Sequence, residues 1–220
     1  MSENKVKAPR ALYRVFATII ILATLAQFAF LKYGKPNDSI QYMVDGISAT
    51  ILYAATPFTS FALSNHKSET FSQDNLIGKW SFLSFGYTHC PDICPTTLKT
   101  LDHVDKILHE MDNAILPQTI FITLDPERDD VATLSEYIPW FNKDFIGLTG
   151  TAEQIAVLTK NLGILNQKRE DQSGEEGYQI DHTVVIMLID PKSRLRALSS
   201  APHDAQTIAD DFIKITEKFN

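Results

Sequence analysis

Three short apolar runs constrain this chain most: WSFLSF at Trp80–Phe85, TIFITL at Thr119–Leu124 and TVVIMLI at Thr183–Ile189. Each is unbroken and strand-length, the pattern of a strand covered on both faces. The segments between them carry apolar residues at helical spacing. Pro91 to about Met111 places Ile93, Leu98, Leu101, Val104, Ile107 and Leu108 on one stripe. Val131 to about Phe141 predicts a second helix, disturbed near its end by Pro139. Ala152–Leu162 predicts a third, with Thr151 as its N-cap, and Ala205–Phe219 an amphipathic C-terminal helix. Strands alternating with helices imply an α/β fold with a mixed central sheet flanked by helices. At 44% hydrophobic and 21% charged, the 220 residues supply a core for one domain with extras, and global disorder is excluded.

Other stretches are less patterned. From about Gln41 to Ser60 the expectation is an extended approach segment ending near Pro57. Thr59–Leu63 and Ser68–Phe71 predict a hairpin around the turn Ser64-Asn65-His66-Lys67, and Asn75–Lys79 a short helical turn stopped by Gly78. The polar stretch Asn166–Gln179 predicts a long exposed loop.

The charge is asymmetric. Lys5, Lys7, Arg10 and Arg14 stand against Glu3, a net +3, so the remainder carries −10 of the total −7. This acidic balance argues against nucleic acid as a partner. Directly after the basic leader, Val15–Leu31 is apolar and uncharged, interrupted only by Thr18, Thr24 and Gln27. Extended to Ala11 and Tyr33, it approaches the roughly 20 residues that span a bilayer core. A buried helix and a cleaved signal peptide compete with a retained anchor. The run is apolar all round, longer than a signal peptide's apolar region, and ends without a clear cleavage site, so a signal anchor is expected. Basic residues before it predict a cytoplasmic N-terminus. The leader lacks the Arg- and Ser-rich character of a mitochondrial presequence. The expected address is therefore a bacterial inner membrane, crossed once, with the folded domain in the periplasm.

The chain has two cysteines, Cys90 and Cys94, in Gly86-Tyr87-Thr88-His89-Cys90-Pro91-Asp92-Ile93-Cys94-Pro95. So small a number excludes a disulfide scaffold and a self-contained four-cysteine zinc site. With Pro91 at the first helical position, Cys90 falls at the N-cap and Cys94 one turn in. Their β-carbons are then about 5–6 Å apart on one face. Three chemistries fit: a thiolate favoured by the helix N-terminus, a soft clamp for Cu(I), or a short disulfide. A disulfide closing so small a loop would restrict the unfolded chain very little. Pro95 disfavours helical geometry at Cys94, so an irregular first turn is expected.

This string resembles the copper-site motif of the SCO/SenC family, membrane-anchored thioredoxin-like proteins that assemble the dinuclear copper centre of cytochrome c oxidase subunit II. The resemblance runs through Gly78-Lys79-Trp80, Leu124-Asp125-Pro126-Glu127-Arg128-Asp129, Gly147-Leu148-Thr149-Gly150 and Asp181-His182-Thr183. Together with the charge and hydropathy of the N-terminus, it divides the chain into a basic tail over 1–14, a transmembrane signal anchor over 15–33, a linker over 34–56 and a thioredoxin-like copper-binding domain over 57–220. It also implies Cys90, Cys94 and His182 as copper ligands. Two thiolates alone give a linear Cu(I) site, and a third ligand is expected if the metal also cycles through Cu(II). His89 is the decoy, its place on the turn directing it elsewhere. His66, His103, His109 and His203 are expected on loops or the helix surface, and Met187 in the core. Asp125 reads as a helix N-cap with a surface ion pair, or as part of a partner-docking edge. One departure is Ser193, where the family often has a turn glycine; another is Leu195–Leu198, which lacks an aromatic ending.

The implied function is a copper metallochaperone delivering to cytochrome c oxidase subunit II or another copper-receiving protein. The alternative is a thiol–disulfide oxidoreductase, with Cys90 and Cys94 redox-active, that reduces the recipient's cysteines. A redox pair alone has no need of His182. A peroxidase-like activity lacks the required arginine arrangement.

Overall fold

The structure, a computed structural model, describes residues 41–42, 46–58, 60–112, 114–170 and 177–219, with 16, 19–24 and 27 near the N-terminus. The chain divides into two units, Met1–Ser39 and Ile40–Asn220. In the first, the described residues are helical. The predicted anchor over 15–33 falls largely outside the described residues, among which no helix is long and apolar enough to cross a membrane.

The second unit is built on a nine-stranded sheet in the order β1-β2-β11-β10-β5-β6-β7-β3-β4. The strands are β1 (Gln41–Tyr42), β2 (Thr50–Pro57), β3 (Ala62–Asn65), β4 (Thr70–Ser72), β5 (Ser81–Gly86), β6 (Gln118–Thr123), β7 (Ile146–Thr149), β10 (Val185–Asp190) and β11 (Arg194–Ser200). A separate two-stranded sheet pairs β8 (Asn166–Glu170) with β9 (Tyr178–His182). The helices are α1 (Ile93–His109), α2 (Val131–Tyr137), α3 (Ala152–Leu162) and α4 (Ala205–Phe219).

β5, β6 and β7 run parallel and the flanking strands antiparallel, which makes the sheet mixed as expected. All six residues of β5 are buried, because it lies mid-sheet with side chains packed on both faces. Phe82, Phe121, Ile186 and Leu188 meet Leu98, Leu101 and Leu108 of α1 and Ile208, Phe212 and Ile215 of α4 in one core cluster. Leu83, Phe85, Ile120, Ile122 and Ile189 meet Ile155 and Leu158 of α3, and both cysteines, in the other. Met187 belongs to this second cluster and is a core residue.

α3 and α4 have the predicted bounds, α3 starting in a capping box between Thr151 and Gln154 and ending at left-handed Gly163. Other segments differ. Thr50–Pro57, expected as linker, is a sheet strand paired with β11, and Ile47, Ala49 and Ile51 are buried. The folded unit therefore reaches upstream of the expected boundary at 57. The first hairpin turns about two residues later, because Asn65 Oδ1 accepts the backbone N–H groups of Lys67 and Glu69, both at 2.9 Å, and starts the turn there. The helical turn is a 3₁₀ turn over Gln73–Leu76. The expected loop over Asn166–Gln179 is, in its described part, the β8–β9 hairpin.

The β10–β11 turn shows what the departure at Ser193 costs. Ser193 has φ 54°, is 1% exposed, and its hydroxyl has no hydrogen-bond partner among the described residues. Ser193→Gly relieves the left-handed strain and removes a buried unpaired hydroxyl, against the greater chain entropy of unfolded glycine. Thermal unfolding should shift upward by about 2–4 °C, roughly 1 kcal/mol. An unchanged or lower midpoint would contradict this geometry.

Candidate metal centre

The site lies where β5 leaves the sheet and α1 begins. α1 starts at Ile93 with Asp92 as N-cap, two residues later than expected, so Cys90 stands before the helix and Cys94 is its second residue. Pro95 explains the shift. A helix beginning at Pro91 would place Pro95 where its N–H is needed and its ring clashes with the carbonyl four residues back. Starting at Ile93 puts Pro95 in the first turn, where no N–H is required.

The cysteine loop is pinned to the end of β6. Asp129, fully buried, accepts from the Thr88 backbone N–H at 2.9 Å, the Thr88 hydroxyl at 2.5 Å and the Thr123 hydroxyl at 2.6 Å. Neither Thr88 nor Asp129 stands out from its residue type, though both lie in segments that carried the family resemblance. Asp125 is not a helix N-cap: Asp130 caps α2, accepting from the Thr133 N–H at 2.7 Å. Nor is Asp125 on the surface; it is fully buried, paired with Arg128, and accepts from the Tyr178 hydroxyl at 2.6 Å.

Cys90, Cys94 and His182, 88 residues from Cys94, come together here. The Cys94 N–H donates to Cys90 Sγ at 3.4 Å, and His182 Nε2 lies 3.6 Å from Cys94 Sγ. His182 Nδ1 is 3.0 Å from the Thr183 carbonyl, which only accepts, so Nδ1 carries the proton and Nε2 turns a lone pair toward the sulfurs. Two ligands bound at about 2.0–2.3 Å to one metal lie about 3.6 Å apart, the separation found here. Among the described residues no three His, Cys, Asp or Glu side chains are already grouped at metal-holding spacing. Both cysteines are free thiols.

The two sulfurs are electrostatically unequal. The Cys94 thiol donating to Cys90 is the largest influence holding Cys90 down to about 4. Burial opposes it, and the neighbouring His182 and the backbone N–H groups of Cys94 and Asp92 assist. Cys94 is pushed well above the ordinary thiol range, first by donating to Cys90, then by burial. One proton is thus shared by the pair. Because the folded value of Cys90 lies below its unfolded value of 9.0, its ionisation stabilises the fold fully above pH 9, and this contribution fades as pH falls toward about 4. Thiolate ultraviolet absorbance should show one thiolate persisting to about pH 4, with the second appearing only in strong alkali. Two ordinary thiol titrations would contradict this arrangement.

Cys90 opens on two clefts. One, of 310 Å³, is walled by Tyr87, Asp92, Ile180, Asp181 and His182. The other, of 500 Å³, is walled by Thr88, Pro95, Glu136, Tyr137, Trp140 and Phe141, and Trp140 is 71% exposed.

The remaining histidines stay away from the sulfurs. His89 turns toward Thr88 Oγ1 at 3.0 Å and Asp129 at 3.9 Å, as its place on the turn suggested. His103 and His109 are exposed on α1. His66 is buried at 6% exposure and accepts from the Gly147 N–H at 3.1 Å, and His203 donates to the Ser199 carbonyl at 3.2 Å.

A mixed sheet flanked by helices, with two thiols at the strand-to-helix junction and an imidazole from a strand end, defines a thioredoxin-like domain carrying a thiol–imidazole site. The SCO1/SenC family model matches residues 50–217, and this chain belongs to that family. It is 39% identical over 180 residues to an SCO2-like protein of Rickettsia typhi, covering 82% of this chain and 85% of the relative. It is 35% identical over 155 residues to the mitochondrial SCO1 homolog 1 of Arabidopsis thaliana, covering 70% of this chain and 45% of that protein. This chain spans about half the length of that protein and of the mouse mitochondrial SCO2 homolog, of which 54% is covered. The crystal structure of Arabidopsis thaliana ScoI with copper bound superposes with a TM-score of 0.69 at 31% identity, covering 74% of this chain and 99% of that one. Bradyrhizobium japonicum ScoI with copper bound gives 0.64 at 29%, covering 73% and 99%.

Proposed function

We propose that this chain is a membrane-anchored copper metallochaperone that holds copper on Cys90, Cys94 and His182 and delivers it to the dinuclear centre of cytochrome c oxidase subunit II. The observation that carries the reading is the His182 lone pair 3.6 Å from Cys94 Sγ, beside a second thiol already disposed to ionise. Membership in the family and the copper-bound structures of relatives support the identity of the metal. Thiolates select a soft ion, and the imidazole extends the set to Cu(II). Copper is cargo here. Cys90, reachable from two clefts, is the ligand an incoming thiolate displaces first, while Cys94 and His182 hold the ion from within. The apolar run Val15–Leu31, behind its basic leader, supports a bacterial inner-membrane anchor over 15–33 with the domain in the periplasm.

A second reading rests on the inequality of the thiols. A thiolate at Cys90 attacks a recipient disulfide, releasing one recipient thiol and forming a mixed disulfide. Cys94 then displaces the second recipient thiol, leaving a Cys90–Cys94 disulfide and a reduced recipient.

Transfer separates the readings. Full chain loaded with Cu(I) is mixed with the metal-free, reduced copper-receiving domain of subunit II, and metal-free reduced chain with the same domain oxidised. Copper should move to the domain in the first mixture. Retention of all copper by this chain, with the domain's disulfide reduced in the second, would reverse the assignment.

A further inference from the structure

The strand that carries His182 makes no backbone ladder with the main sheet. Among the described residues β8 and β9 pair only with each other, so beyond the short Thr183–Val184 link to β10, side chains set where the imidazole stands relative to the thiols. Those side chains converge on Arg128. Its guanidinium lies 3.8 Å over the Tyr178 ring and 5.8 Å from the Tyr87 ring, one from the hairpin and one from the cysteine loop. Its Nε is held by the buried Asp125 carboxylate. The same carboxylate accepts from the Tyr178 hydroxyl at 2.6 Å. The Tyr87 hydroxyl accepts the Ile180 N–H at 3.2 Å, and its ring meets the His182 ring edge-on at 6.3 Å. On the outer side Lys168 pairs with Glu127 at 2.6 Å, a solvent-screened contact that adds little.

We propose that Arg128 is a positioning residue for His182: stacked on Tyr178 and facing Tyr87, it latches the β8–β9 hairpin onto the cysteine loop and sets the imidazole's reach to the thiols. This rests on the proposed copper site. The latch acts on one ligand of three. Cys90 and Cys94 sit on the loop and α1, which Asp129 anchors independently. Loosening the latch therefore frees the imidazole and leaves the thiols in place. Cu(I) held by two thiolates should barely respond, whereas Cu(II), which needs the nitrogen, should escape.

Lysine cannot replace arginine here: it keeps a charge for Asp125 but has no plane to stack between two rings. The test compares the full chain with Arg128→Lys, His182→Ala and the double variant. Tyr178→Phe, which removes only the hydroxyl bond to Asp125, is a gentler second lesion should Arg128→Lys fail to fold. Arg128→Lys should release Cu(II) about 10–100-fold faster and weaken the nitrogen hyperfine signature in the electron paramagnetic resonance spectrum. Cu(I) affinity should change by less than about tenfold, the low end of outer-shell effects. In the His182→Ala background the same substitution should change Cu(II) release no further. An equal change in both backgrounds, or none in the first, overturns the latch. A readout without copper keeps the two proposals apart. In the metal-free reduced chain, the nuclear Overhauser contact between the His182 ring and the Cys94 β-protons should be present, and lost in Arg128→Lys. Should the parent bind no copper yet show this loss, the copper reading falls and the latch stands.

Discussion

Replacing Cys94 by alanine is expected to lower Cu(I) affinity by well over 100-fold, the upper end of what altering outer-shell partners alone costs. Two consequences of one deletion combine. The metal loses one of its two soft ligands, and a single thiolate with an imidazole is a poor clamp for Cu(I). Cys90 also loses the thiol hydrogen bond that is the largest influence keeping it near 4, so its remaining proton competes with the metal. His182→Ala should behave differently. Both thiolates remain, Cu(I) binding is largely kept, and the nitrogen signature of Cu(II) disappears. Competition titration with a Cu(I) chelator distinguishes the variants. Equal Cu(I) affinities for the parent and Cys94→Ala would mean that the metal binds elsewhere.

Gly86→Ala, with no change to any proposed ligand, should damage both fold and site. A β-carbon at Gly86 would lie 2.7 Å from Cys94 Sγ, 2.8 Å from Phe121 Cε2 and 3.2 Å from Cys94 Cβ. The Phe121 ring is fully enclosed, at 1% exposure, and cannot retreat without repacking the core. Overpacking of this kind costs about 1–3 kcal/mol. The Cys94 side chain is the neighbour with somewhere to go, and moving it opens the spacing to His182. Thermal unfolding should drop by several degrees, roughly 2–4 °C per kcal/mol, and Cu(I) affinity should fall in the same protein. A variant as stable and as tight-binding as the parent would show that Cys94 does not sit against β5 as described.

The cysteine pair and the central strands were legible because their signals are local. β5, β6 and β10 are apolar runs that lie mid-sheet, and α3 carries its start at Thr151 and its stop at Gly163. β8 was illegible for the complementary reason: all five of its residues are exposed, so no apolar alternation marks it as a strand. β2 reads as linker because its signal is pairing with β11, from Arg194 on Pro57 to Leu198 on Thr50, partners that meet only in three dimensions. The start of α1 turns on the competition between Pro91 and Pro95 for the first turn, which Pro95 wins. His182 came from resemblance, since a histidine beside a strand has no local mark of a ligand. The Asp125–Arg128–Tyr178–Tyr87 assembly, with the Ile180–Tyr87 bond beside it spanning 93 residues, is a property of the folded chain alone.

X-ray absorption of the full chain loaded with one equivalent of Cu(II) should show two sulfur scatterers and the outer-shell pattern of one imidazole, and His182→Ala should lose the imidazole pattern while keeping both sulfurs. A first shell of nitrogen and oxygen only, or an imidazole pattern that survives in His182→Ala, would contradict the assignment of copper to Cys90, Cys94 and His182.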